Sequence, residues 1–415
     1  MKELKKKLKR LLLPLWYHGF CKPRILRRIR RQDRITVVFF TMNVAMWKYD
    51  GFFKLLLEDP HFHPVIVSFL IPSDKEEYRR YVQQSMKDFF EAKGYPFYAS
   101  YDFQTGKYLD IKQLHPDIIF YAQPYESAPE PYRTKHFLRT CLFSYIPYCY
   151  NMEDLPLFYN QPFMDLAWRM FFPTEHHARM VAHYSRLGGR HVVVAGYPMA
   201  DALLSRGAVN ESVWKEKGSL VKRVIWAPHH SVLPEDFLDY SRFLVLADAM
   251  VELAEKYRGR IQFAFKPHPR LKPKLMMHPD WGVERTEAYY QLWREMPNTV
   301  FVEGDYVDLF RSSDAMIHDC SSFMGEYLFM NKPVAFLGNR GAVTKGLNDF
   351  AKACLEQHYQ LDAREDIERF LDEVVLAGND PMEPSRRTFR ETVLATDGQS
   401  VARRIYDAFR AGIQE

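Results

Sequence analysis

Short apolar runs alternate with amphipathic stretches along most of this chain. Ile35–Phe40 is the first run, and Pro64–Leu70, Asp117–Tyr121, Leu142–Ile146 and His191–Ala195 follow it. Each reads as a strand buried on both faces, because a half-solvated strand would alternate apolar and polar positions. Gly51–Glu58 and the charged stretch Asp74–Lys93 read as helices between them. Gly196-Tyr197-Pro198 closes this series, and Asp201–Lys222 reads as a connector. A second series starts at Val224, with strands Val224–Trp226, Ile261–Phe265, Val300–Val302, Ala315–Ile317 and Val334–Leu337. Its helices are Ser241–Tyr257, Glu287–Glu295, Val307–Ser312 and Ser322–Phe329, and the chain ends in the helical segments Arg364–Ala377 and Gly398–Ala411.

Strands alternating with helices predict parallel sheets covered on both faces. A length of 415 residues is too great for one ordinary core, so two domains are expected. The predicted fold class is therefore α/β and GT-B-like, with two doubly wound parallel-sheet domains facing across a cleft. The expected division is a basic amphipathic arm over 1–33, an acceptor-side domain over 34–205, a donor-binding domain over 206–385 and a helical segment over 386–415.

Charge changes the picture at the N-terminus. Residues 1–34 hold thirteen Lys or Arg and two acids, which leaves the rest of the chain acidic despite an overall +5. Leu4, Leu8, Leu11, Leu12 and Leu15 fall at helical spacing beside Trp16 and Tyr17, with lysines around them. That is the pattern of a helix lying in a membrane interface with its cations toward anionic headgroups. The alternatives are an amphipathic helix docked on the body or a solvated basic tail. Pro14 breaks the apolar run, so it is not read as a signal peptide. No stretch reaches the roughly 18–20 apolar residues of a spanning helix. The expected partners are an anionic membrane surface at the cytoplasmic face, peripherally, and no nucleic acid, since the body is acidic and carries no reader motif.

Five cysteines without a CxxC argue against a disulfide framework and against structural zinc. Histidine pairs occur at His176/His177 and His229/His230, but adjacent side chains usually diverge and no HExxH appears. No metal or cofactor is expected. The absence of GxxxxGK[ST], GxGxxG and GxSxG sets aside P-loop kinases, Rossmann dehydrogenases and serine hydrolases.

Ligands of open parallel sheets bind beyond the carboxyl ends of the strands. Three polar loops stand there in the second series: Ala227-Pro228-His229-His230-Ser231, Lys266-Pro267-His268-Pro269-Arg270 and His318-Asp319-Cys320-Ser321-Ser322. Lys266, His268 and Arg270 supply donors for phosphate oxygens, and the prolines stiffen the loop that displays His268. Ser321 and Ser322 sit where a strand turns into a helix, so hydroxyls and free N–H groups can meet an anion; taken alone, Ser322 before a helix reads first as an N-cap, and the convergence of three loops favours the anion site. Glu326, one turn on, is suited to ribose hydroxyls. His229, His230, Lys266, Arg270, Asp319, Ser321, Ser322 and Glu326 form the expected donor-nucleotide and phosphate set, with His268 catalytic.

At these loops the sequence resembles the CDP-glycerol glycerophosphotransferase family of teichoic-acid and capsule synthesis. The stretches VIWAPHHS, FAFKPHPR and SDAMIHDCSSFMGEYLFMNKPVAFL match the family's strand-loop, "RPHP"-like and "SDVLITDYSS" segments, and AGYPMAD matches its "GYPRND". The resemblance implies a GT-B fold and a CDP-linked donor bound by the C-terminal half. It puts His268 on the family's important donor-site histidine, Ser321 and Ser322 on its phosphate-binding serines, and Glu326 on an acidic position near the donor. It also implies a lipid-linked or polymer acceptor at the membrane. The family's "WHGTPLK" segment, whose histidine activates the acceptor hydroxyl, has no counterpart; the corresponding stretch, Ser144–Tyr150, lacks histidine. Asn43 and Tyr148 are the acceptor-side candidates. Two readings stand at this point: transfer of glycerol phosphate or a related polyol phosphate to an acceptor hydroxyl, and, as the alternative, a nucleotide-sugar-dependent GT-B glycosyltransferase. A third, a non-catalytic scaffold, predicts no nucleotide binding.

Overall fold

The structure is a computed structural model that describes residues 10–121, 123–124, 128–215, 221–236, 239–338, 346–394 and 398–415. Leu4 and Leu8 of the expected N-terminal stripe lie outside them. The chain forms two compact units. The first comprises Met1–Asn151, Leu155–Asp201 and Thr396–Glu415, and the second Met152–Asp154 and Ala202–Ala395.

Unit 1 is built on strands β1 (Ile35–Thr41), β2 (Phe62–Ser68), β3 (Phe97–Tyr98), β6 (Ile118–Tyr121), β7 (Leu142–Tyr145), β8 (Arg169–Phe172) and β9 (Val192–Val194), with β4 (Tyr101–Asp102) and β5 (Lys107–Tyr108) forming a separate hairpin. The sheet order is β3-β2-β1-β6-β7-β8-β9, and neighbours run parallel. Central β1 is apolar on both faces because both are covered: Phe39 stacks on Phe120 at 4.7 Å and meets Phe52 and Phe53 of the helix Asp50–Glu58. The C-terminal helix Val401–Gln414 completes this core. Its Phe409 touches Phe52, Phe62, Phe120 and Trp168. Asp201, at the end of the AGYPMAD stretch, accepts the N–H groups of Val401 and Ala402 at 2.8 Å each, holding the start of that helix. Gly51 allows the close approach, since a Cβ there would lie 2.9 Å from that of Ala402.

Unit 2 contains β10 (Lys222–Ala227), β11 (Ile261–Phe265), β12 (Thr299–Phe301), β13 (Ala315–His318), β14 (Val334–Leu337) and β15 (Tyr359–Leu361), in the parallel order β12-β11-β10-β13-β14-β15. Trp226 stacks on Phe265 and Phe243 and meets Trp293, so one face of the sheet is sealed by the helices Phe243–Lys256 and Gly282–Glu295.

Within the expected basic amphipathic arm over 1–33, the described residues from 10 onward pack on unit 1. Residues 10–16 are helical and continue through Tyr17–Cys21 and Lys22–Ile29. Tyr17, Ile25, Leu26 and Ile29 are buried in unit 1. The Tyr17 hydroxyl donates to the Cys141 carbonyl at 3.0 Å, and Arg28 pairs with Asp117 at 2.9 Å. Leu11, Leu12, Leu15 and Phe20 remain exposed on this segment. The expected terminal segment 386–415 is also divided, since Glu383–Phe389 packs in unit 2 and Val401–Gln414 in unit 1.

Candidate active site

Register brings the three expected loops to one edge of unit 2. Trp226 lies beside Phe265 and Ile317, and Ala227 beside His318, so the chain leaves all three strands at the same level. The His268 N–H donates to the Pro228 carbonyl at 3.0 Å, tying the first loop to the second. Asp319 ties the first to the third. Its carboxylate accepts the N–H groups of His229 and, at 2.7 Å, of Arg242. It is fully buried, and burial pushes its pKa up to about 7 against the pull of those two N–H groups. Asp319 therefore braces the loops rather than facing a ligand, a correction to its place among the phosphate contacts: both oxygens are taken by backbone.

His229, His230 and His268 gather into one cluster. The rings of His229 and His230 stack at 4.2 Å, and that of His268 lies 4.3 Å from His230 and 5.5 Å from His229. The general divergence of adjacent side chains thus fails for this pair. Each ring has its Nδ1 occupied as an acceptor. Arg270 N–H donates to His268 Nδ1 at 3.1 Å, and Lys274 Nζ donates to His230 Nδ1 at 3.0 Å. The Ser231 hydroxyl accepts the N–H groups of Tyr240 and Ser241 at 3.0 Å each, so its own proton goes to His229 Nδ1 at 2.9 Å. Assigned from these bonds, all three neutral rings carry their proton on Nε2. Asp236 anchors Lys274 through an ion pair.

Burial, then the mutual repulsion of the rings and nearby cations, keeps them neutral. His229 is lowered to about 3 and His230 to about 4, by burial first and then by neighbours including Lys274. His268 falls well below the ordinary value for the same reasons. The edge therefore presents three neutral Nε2–H donors at neutral pH, an arrangement suited to the oxygens of a diphosphate.

Around the cluster the expected residues divide. Buried Lys266 donates to the Gly304 carbonyl at 3.1 Å and lies 5.4 Å from the Tyr306 ring centre. Glu326 is also buried and accepts the Tyr306 phenol, so it does not stand open to a ribose as expected. Arg270 is exposed. Ser321 and Ser322 are half-buried. Ser322 takes the N-cap position with helical backbone angles but its side chain makes no capping bond. The α-helix Phe323–Glu326 is one turn long and passes into the 3-10 turn Tyr327–Met330, so little of the expected helix dipole is available. Hydroxyls and N–H groups remain the useful donors of that turn.

Glu153 escaped the sequence reading. It lies on the short segment Met152–Asp154, which joins unit 2 through the Glu153–Leu347 bridge and the bond from Asp154 N to Gly346 O at 2.8 Å. Its buried carboxyl accepts the Tyr240 phenol at 3.3 Å, and the Ser321 hydroxyl beside it favours the carboxylate form. Burial raises its pKa. Nothing in the local sequence Asn-Met-Glu-Asp announces this position; only the long-range pairing does.

Asn43 and Tyr148 belong to unit 1. Asn43 uses its side-chain oxygen to cap Val44–Met46, accepting Met46 N–H at 3.0 Å. The Tyr148 carbonyl accepts the Tyr197 hydroxyl at 3.4 Å. Among the described residues no group of three His, Cys, Asp or Glu is placed to hold a metal ion.

Two parallel α/β units of this kind define a GT-B fold, and solved structures agree. A variant of the wall teichoic acid polymerase TagF is similar with a TM-score of 0.57 at 12% identity, covering 98% of each chain. The UDP-GlcNAc 2-epimerase of Neisseria meningitidis has a TM-score of 0.55 at 12% identity, covering 92% of this chain and 99% of its own. That of Methanocaldococcus jannaschii scores 0.56 at 14% identity, covering 91% and 99%. A comparison with curated protein sequences gives no match. Residues 168–408 match the family described as CDP-Glycerol:Poly(glycerophosphate) glycerophosphotransferase, and the chain belongs to that family. It is a transferase, as the loop motifs imply.

Proposed function

We propose that the chain moves glycerol phosphate from CDP-glycerol to a hydroxyl of a lipid-linked or polymer acceptor, at the cytoplasmic face of the membrane. The observation that carries the site assignment is the set of three Nε2–H donors at the strand-end edge of unit 2. His229, His230 and His268 bind the donor diphosphate, with Lys266 and the Ser321/Ser322 turn beside them. The acceptor oxygen attacks the phosphorus that carries the glycerol. One P–O bond forms, the P–O bond to the bridging oxygen breaks, CMP leaves with the bonding pair, and the acceptor's hydroxyl proton passes to the leaving phosphate oxygen or to water.

Donors already oriented toward the diphosphate stabilise the charge that develops on the leaving oxygen. His268 enters this step as a neutral donor rather than as an acid, because its pKa in the free protein is low. The anionic donor itself raises that pKa on binding. The assay is CMP release from CDP-glycerol in the presence of a lipid-linked acceptor. Undiminished release by His268→Ala would sink the assignment, and thermal shift with CDP-ribitol or UDP-sugars in place of CDP-glycerol tests the donor.

The membrane reading has its own support. Leu11, Leu12, Leu15 and Phe20 are each more than half exposed, and Arg24, Arg27 and Arg31 are exposed further along the same helical segment. Apolar side chains entering the interface beside arginines at headgroup level fit an anionic membrane surface, each cation adding about 1 kcal/mol. No helix among the described residues is long and apolar enough to cross a membrane.

A further inference from the structure

The N-terminal helical segment lines a cavity of about 530 Å³ in unit 1. Leu15, His18 and Lys22 come from that segment, and Arg169, Arg190 and His191 from the starts of β8 and β9. Its polar lining is unbalanced. Lys22, Arg169 and Arg190 accompany one carboxylate, Glu415, which is bonded to Arg169 at 2.5 Å.

Two buried groups lack partners. His191 is 9% exposed and neither ring nitrogen makes a hydrogen bond. The Met164 carbonyl is near enough to favour its proton but completes no bond. Arg169 Nε is likewise buried without an acceptor. Gly412 leaves the room the guanidinium occupies, since a Cβ there would lie 2.1 Å from Nε. Unmet buried donors cost ~1–3 kcal/mol each, and both groups belong to residues that line the cavity. The same helical segment carries the exposed Leu11, Leu12, Leu15 and Phe20. A ligand that meets both features is anionic at one end and apolar at the other.

We propose that this cavity receives the phosphate-bearing headgroup of an anionic membrane phospholipid, while the neighbouring leucines enter the interface. The proposal rests on the membrane-surface reading above and names the group recognised there.

The test is co-sedimentation of the full chain with phosphatidylcholine vesicles containing or lacking phosphatidylglycerol. Lys22→Gln/Arg190→Gln is compared with Arg27→Gln/Arg31→Gln, which changes charge equally outside the cavity. Both lose the general attraction of two cations, and the cavity pair is expected to bind phosphatidylglycerol vesicles at least tenfold more weakly than the other. Equal binding by the two overturns the proposal. In a second measurement, soluble dihexanoyl phosphatidylglycerol raises the melting temperature of the wild-type chain but not of His191→Phe, which keeps a buried ring. Inorganic phosphate giving the same rise at the same concentration overturns the lipid assignment in favour of a free-anion site. Thermal shift with CDP on the wild-type chain reports the transfer reading separately, so failure of either idea leaves the other measurable.

Discussion

Replacing Asp319 by Asn tests how the loop edge is held. The side chain is buried, and its oxygens accept the N–H groups of His229 and Arg242. Asn keeps the shape but offers one carbonyl and one amide, so one backbone N–H faces another donor. An unmet buried donor costs ~1–3 kcal/mol, and the variant is less stable than wild type by that order at pH 6. The pH dependence is sharper. Burial raises the Asp319 pKa from 3.8 to about 7. A raised folded-state pKa gives stability that is complete below the unfolded value and is lost as pH rises through about 7. Between pH 6 and pH 8 the wild-type chain loses on the order of 1–2 kcal/mol through this group. Asn does not titrate, so the gap between the two proteins narrows by that amount over this range. Buried histidines titrate in both and cancel in the difference. Urea unfolding at the two pH values, followed by the fluorescence of Trp226 and Trp293 in unit 2, measures the gap. A gap that widens with pH would refute the reasoning, because it requires a carboxylate whose folded pKa is depressed by its N–H partners.

Three further outcomes are expected. His268→Ala lowers kcat/KM for CMP release by roughly 10- to 100-fold, the loss of one hydrogen bond to a charged oxygen. Glu153→Gln retains donor affinity while Glu153→Leu loses it: an ionised Glu153 draws the Ser321 hydroxyl to itself, and a neutral polar side chain leaves that hydroxyl to phosphate. Since burial raises the Glu153 pKa, wild-type affinity for CDP weakens as pH rises through it, and calorimetry should find this slope absent in the Gln variant. Asp201→Ala, which removes the acceptor of the Val401 and Ala402 N–H groups, lowers stability by ~0.5–2 kcal/mol in thermal unfolding.

Much of the fold was legible because long apolar runs carry it. Ile261–Phe265 and Val334–Leu337 fall where the pattern puts them, and β1 differs by one residue. The strands that were missed are short or at edges. Arg169–Phe172 has four residues, Tyr359–Leu361 has three with a polar centre, and Phe97–Tyr98 has two. So few residues carry no readable period, and pairing with a neighbour creates them. At the candidate site, the loops were legible because strand ends and polar residues coincide. Their internal division was not. Asp319 and Glu326 look like ligands in sequence, yet both are buried and bonded within the protein. Glu153 is far from the loops along the chain, so only the fold reveals it.

The helix Val401–Gln414 has a consequence for how the molecule is made. Chain synthesis delivers the sheet of unit 1 first, then all of unit 2, and only last the helix whose Phe409 fills the first sheet's core. During translation the early sheet waits with an uncovered apolar surface while the later unit, whose segments are nearly contiguous, can finish. Completion of the first-made half therefore waits for a segment synthesised after the whole of the second unit. Deleting Val401–Gln414 would strip the older half, not the younger one, of part of its core.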